Sequence, residues 1–197
     1  MAYNVIELNC PGCGAPVTTG TERCEYCSRP IVISTFNSVR LMSFPDVNKQ
    51  AFAYGKAMAA NPDDVTLNLS AAFCYLKLKL YDKALPCFEK AIADNFDNSE
   101  AYFYAAITLL KGKRAFLASR PAIDKAEEFI NAALMIEPKG IYYYLWAYIR
   151  YDHHFRKFYK MNPDYKTLLS QAVGAGLSQS DVAELYGILD VDRPSEL

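Results

Sequence analysis

The sequence predicts a mostly α-helical chain: a right-handed solenoid of stacked helical hairpins behind a small β-type module pinned by four cysteines. Three observations carry this. Cys10-Pro-Gly-Cys13 and Cys24-Glu-Tyr-Cys27 are two C-x-x-C pairs ten residues apart. From about residue 45 onward, apolar residues recur at helical spacing among Ala, Leu, Lys and Glu. A triplet of large, small and turn-closing residues then repeats along the chain: Tyr54, Ala57 and Pro62; Phe88, Ala91 and Phe96; Ile130, Ala133 and Pro138; Leu169, Ala172 and Leu177.

The N-terminal module spans residues 1–34. Each C-x-x-C turn aims two thiolates at one point, so Cys10, Cys13, Cys24 and Cys27 make the donor set of a tetrahedral Zn2+ site, one structural ion per chain. Gly12 and Gly14 stand where such a turn needs residues free of a Cβ. A catalytic zinc keeps an open position, and four thiolates leave none. Residues 8–34 resemble a zinc ribbon. The segment Ile31 to Met42 reads as strand and loop, with a linker at 35–45.

The helical part begins with a lone second helix at 46–62, and units at 65–98, 99–138 and 141–177 follow. Ala57 to Ala91 is 34 residues, and the next steps, to Ala133 and to Ala172, are 42 and 39. The first full unit has Ala71, Ala72 and Tyr75 on one helix and Ala84, Phe88 and Ala91 on the next. The second has Tyr102, Ala106, Leu109, Ala126, Ile130 and Ala133, with its extra length in Lys111 to Pro121. The third has Tyr144, Tyr148, Tyr151, Leu169 and Ala172. Small residues let paired helices approach and large ones fill the gap between them. These positions resemble the tetratricopeptide repeat (TPR) over residues 46–177. A last helix, 178–190, opens on Ser178 with Asp181 as a capping-box partner. It carries the stripe Val182, Leu185, Ile188 and Leu189 and covers the end of the array, and a polar, frayed tail at 191–197 follows.

The TPR resemblance implies a non-enzymatic adaptor whose first helices line a groove for a partner protein or peptide. The inner stripe here is apolar: Leu69, Phe73 and Leu76, then Phe103, Ile107 and Leu110, then Leu145 and Ile149. A clamp for an acidic peptide terminus is therefore not expected. Covering each such side chain is worth roughly 1.5–3 kcal/mol, so the stripe needs an occupant: the protein's own C-terminal helix or zinc module, a partner segment, or a second copy. Phe73→Asp and Phe103→Asp would disturb folding in the first case and only partner capture in the second.

Composition narrows the function classes. The 197 residues are 52% hydrophobic and 22% charged, with net charge -1 and pI about 6.1. No export signal or apolar membrane-length run is visible, so the expected setting is cytoplasmic and reducing, where paired C-x-x-C motifs bind metal. Cys74 and Cys87 lie alone in apolar helical patterns as buried thiols. Residues 101–160 carry ten bases and five acids, a net +5, and residues 161–197 a net -4. The alternative function is a nucleic-acid-associated factor using the ribbon and the basic 111–120 region. Ile141 to Lys160 mixes bases with aromatics, but Tyr144, Tyr148, Tyr151 and Phe155 share a helical face and read as core. His153 and His154 read as an exposed pair. No nucleophile with a base, paired acids or phosphate loop stands out.

Overall fold

The computed structural model describes residues 5–197, so the first four residues of the expected 1–34 module lie outside the described residues. The chain forms two compact units that divide between Phe96 and Asp97.

In the first unit, β1 (Glu7–Asn9) and β2 (Pro16–Thr18) pair antiparallel with Leu8 opposite Val17. A bridge between Arg23 and Pro30 closes the second cysteine turn. The strand expected within 31–42 does not form. Ile31 and Ile33 run extended and are fully buried, but the backbone of Ile33 bonds to the Ser70 hydroxyl, which donates to its carbonyl at 3.3 Å and accepts from its amide at 3.0 Å. With the Ile33 hydrogen bonds taken by a helix side chain, backbone pairing ends at the Ile31 amide, which donates to the Glu22 carbonyl at 2.8 Å beside the Arg23–Pro30 bridge. The segment then closes into one helical turn, α1 (Asn37–Arg40).

Three longer helices complete this unit: α2 (Phe44–Ala60), α3 (Val65–Lys77) and α4 (Tyr81–Asp94). Ser43 and Asp64 accept from the Asp46 and Leu67 amides and fix the starts of α2 and α3. α3 and α4 form the tightest pair of the unit, with α2 against α3. The small residues explain it: Ala71, Ala72, Ala84 and Ala91 are buried, and Phe73 meets Phe88 edge-on at 5.4 Å.

The second unit has two helix pairs, α5 (Ser99–Leu110) with α6 (Arg120–Ile136) and α7 (Gly140–Ile149) with α8 (Tyr165–Gly174). α9 (Gln179–Leu189) packs against α7 and α5. The capping box of Ser178 and Asp181 is complete. Val182, Leu185 and Leu189 are buried, joined by Tyr186, while Ile188 is half-buried. Gly140 permits the α7–α8 pairing, since a Cβ there would stand 2.7 Å from the Ala172 carbonyl oxygen and 2.6 Å from the Leu177 nitrogen. The tail is held: Arg193 donates to the Leu197 carbonyl at 2.6 Å and to Gln179 at 3.3 Å, and Tyr151 bonds Glu196. No helix of the described residues is long and apolar enough to cross a membrane.

Candidate metal centre

The two cysteine turns are built alike. The Cys10 amide donates to the Ala15 carbonyl and its carbonyl accepts from Gly14. The Cys24 amide donates to the Arg29 carbonyl and its carbonyl accepts from Ser28. Gly14 and Ser28, at equivalent places, both take positive φ, 77° and 57°. Left-handed backbone is natural for Gly14 and costly for Ser28. Gly12 has a different reason: a Cβ there would fall 2.2 Å from Cδ of Arg29, whose side chain lies across the first turn.

These turns bring the four sulfurs within 4.8 Å of one another. Cys10 and Cys27 Sγ are 3.5 Å apart, and Cys13 and Cys24 Sγ 3.7 Å. A tetrahedron with Zn–S bonds of about 2.3 Å has sulfurs about 3.8 Å apart, so the spacing fits such an ion. Cys10 and Cys24 are buried, and the Gly12 amide points at Cys10 Sγ from 3.4 Å. Burial alone would raise the Cys10 thiol. Hydrogen bonds from the Cys13 and Gly12 amides and from the neighbouring thiols bring it down to about 7. Cys27 moves the other way. The Arg29 amide lowers it, but desolvation and hydrogen bonds shared with the other three sulfurs push it up to about 12. Thiols so close ionise one after another, and a divalent cation replaces the protons together.

The module is tied to the helices behind it. Arg29 pairs with Asp46 at 2.6 Å, and this holds the Asp46 carboxyl below its usual range, together with the Ser43 hydroxyl. Gln50 donates to the Pro30 carbonyl at 2.9 Å and Tyr54 to the Ile31 carbonyl at 2.8 Å. Phe36 packs on Phe73 with ring centres 6.3 Å apart. Asp46, Gln50 and Tyr54 lie at intervals of four on α2, so one helix face receives residues 29–31. Sequence spacing alone could have indicated this stripe as polar and inward.

The apolar stripe is not open to solvent. Leu69, Phe73, Leu76, Phe103, Ile107, Leu110, Leu145 and Ile149 are all buried, the most exposed at 8%. Phe73 touches Phe36 and Phe88, and Phe103 stacks near Tyr142 at 4.7 Å. Aspartate at Phe73 or Phe103 therefore enters packed surroundings. Cys74 and Cys87 are buried free thiols, and burial pushes Cys87 up to about 11.

The reading of His153 and His154 as exposed is corrected: they are 2% and 4% exposed. The helix widens after Ile149 into a π turn, Arg150–His154. The chain reverses at Phe158, φ 59°, and folds Tyr159 back so that its ring centre lies 5.9 Å from His153 and 6.3 Å from His154. Beside them Arg150 pairs with Glu127 at 2.8 Å, and both are largely covered. Burial, helped by Lys157, His154 and Arg120, lowers His153 to about 4, and burial with Arg150 and Arg120 lowers His154. Phe155 also departs from expectation, standing half exposed while stacked on Tyr151. Asp152, missed as a mere sequence neighbour, is fully buried. It accepts from the Phe116 amide at 2.8 Å and Arg156 at 2.6 Å, anchoring the extra segment between α5 and α6. Bases here meet local partners: Arg120 pairs with Asp124, and Arg156 and Lys157 lie 4.8 and 4.9 Å from the Phe116 ring.

No protein-family model and no curated protein matches the chain. Among solved structures, "MamA MSR-1 C2" shares 18% identity at TM-score 0.48, covering 72% of this chain and 68% of that one. "MamA RS-1 ArsTM double mutant" shares 18% identity at TM-score 0.52, covering 80% and 74%. In its stacked helix pairs the chain is thus similar to MamA, a tetratricopeptide-repeat protein.

Proposed function

We propose that this protein is a non-enzymatic adaptor: Cys10, Cys13, Cys24 and Cys27 hold one structural Zn2+, and the TPR-like helices present a surface to a partner protein. The observation that carries the reading is the junction just described, in which the four-sulfur cluster leads into residues 29–36 bonded along α2 and α3. The ribbon takes the place of the helix that would otherwise precede α2, so the metal serves as the folded end of an array. A reducing compartment such as the cytoplasm suits four free thiolates. The eight apolar stripe residues are buried and serve as packing within their own units.

Against the nucleic-acid reading, Arg120 of the basic 111–120 region pairs with Asp124. Metal analysis and X-ray absorption test the zinc: one ion per chain with four sulfurs at about 2.3 Å is expected, and nitrogen or oxygen ligands would refute a four-cysteine centre. Affinity purification tests the adaptor. A reproducible protein partner retained at high salt is expected, whereas nucleic acid released steeply by salt would favour the alternative.

A further inference from the structure

A cleft of about 1190 Å³ opens within the first unit between the β1–β2 hairpin and the outer face of α2. Leu8 and Val17 come from the hairpin, Ala53 and Ala57 from α2, and Tyr75 and Leu80 from the α3–α4 corner. Phe52, on α2, stands 76% exposed in it. Three lysines share this lining: Lys49 and Lys56, one before and one after Phe52 on the helix, and Lys83 at the start of α4. Glu7 is the acid among the lining residues, leaving a net charge of +2. Lys90, Lys125 and Lys139, outside the cleft, pair with Asp63, Glu128 and Glu137. Lys49 acts electrostatically on Asp46, which is already paired with Arg29, and Lys83 lies 5.8 Å from the Tyr75 ring.

Resting on the adaptor reading, we propose that this cleft is the docking site for an acidic peptide segment of the partner, with apolar side chains between its carboxylates. An exposed phenyl ring on an aliphatic floor favours apolar contact, and the three ammonium groups around it supply the complementary charge. The floor is built mainly from aliphatic side chains and carries few rings, which suits a peptide better than the stacked bases of a nucleic acid. The concave shape suits a chain segment better than a flat lipid surface. The zinc turn forms one wall through Cys10 and Pro11, so the metal shapes the site without touching the ligand.

Selection from a random-peptide display library on the full-length, zinc-loaded protein tests this, with K49E/K56E and Phe52→Ser as variants. All three positions are exposed, so the variants keep the wild-type thermal unfolding curve. The expected pool is enriched in Asp and Glu interleaved with apolar residues. K49E/K56E should weaken binding about tenfold or more, and Phe52→Ser should weaken it with little change in salt dependence. Peptides without acidic enrichment, or peptides that bind K49E/K56E as well as wild type, overturn the cleft proposal and leave the adaptor reading standing. Failure to select any peptide overturns both. A poly(U) oligonucleotide that binds with the same lysine dependence while the peptides do not overturns the peptide occupant.

Discussion

Lowering the pH from 7 to 4 should destabilise the second unit through His153, and His153→Gln should remove that residue's share of the effect. Burial, with Lys157, His154 and Arg120 nearby, holds this imidazole at about 4 against an ordinary 6.5, only partly offset by Asp124. The sign follows from proton binding. Between pH 6.5 and 4 the unfolded chain takes up a proton that the folded chain refuses, so stability falls as pH falls through this window and is level above it. At about 1.4 kcal/mol per pH unit, the loss reaches roughly 3 kcal/mol at pH 4, where the folded ring is half protonated, and levels off below that. His154, lowered by burial and by Arg150, adds in the same direction. Urea unfolding read by fluorescence of Trp146 measures it, since the chain's single tryptophan lies on α7 one turn before Arg150. A loss of this size moves the midpoint by about 1–3 M urea. Protons also compete for the cysteine thiolates in this range, but wild type and variant share that centre, so their difference isolates the histidine. A difference between the two proteins that stays flat from pH 7 to 4, or an NMR titration placing the His153 ring near 6.5, would refute the reasoning.

Tyr54→Phe should cost about 1–3 kcal/mol, because it strands the buried Ile31 carbonyl that now accepts from the hydroxyl at 2.8 Å. Circular dichroism during urea unfolding reads this, and an unchanged midpoint would mean that the bond does not fix the junction. Gly140→Ala should cost about 1–3 kcal/mol or more, since the new methyl meets backbone of the α8–α9 corner, which cannot rotate away. A variant with unaltered thermal unfolding would show that α7 and α8 do not approach so closely. Ser178→Ala should cost about 1 kcal/mol by removing the cap of α9, and amide exchange in its first turn should speed up.

The parts of the fold legible in the sequence were those fixed by neighbours in the chain. Cysteine spacing places four sulfurs together because a C-x-x-C turn is a local geometry, and Ser178 with Asp181 caps α9 for the same reason. The alanine positions indicate helix pairing because a close approach excludes larger side chains. Features set by distant contacts were hidden. Ile31 and Ile33 alternate as strand residues do, yet the Ile31 carbonyl accepts from Tyr54 and the Ile33 backbone bonds to Ser70, which no local pattern announces. His153 and His154 look like a polar turn, and their burial depends on a π turn and on the return of Tyr159. The apolar stripe announces burial but not what covers it, and the three lysines that border Phe52 become a patch only when the hairpin and α4 are in place.

The junction also explains why a module this small stays ordered. Residues 5–34 contribute few buried apolar side chains of their own, chiefly Ile6, Leu8, Ile31 and Ile33. At roughly 25 cal/mol per Å², so little surface cannot offset the cost of ordering some thirty residues. Besides the ion that the four cysteines are proposed to hold, the contacts of Asp46, Gln50 and Tyr54 on α2 tie residues 29–31 in place. The dependence runs both ways. α2 turns one face toward α3 and would otherwise expose Gln50 and Tyr54 at its other buried positions, so the helix needs the module as the module needs the ion. The cysteine module and α2 are thus joined through the backbone carbonyls of Pro30 and Ile31, which accept from Gln50 and Tyr54.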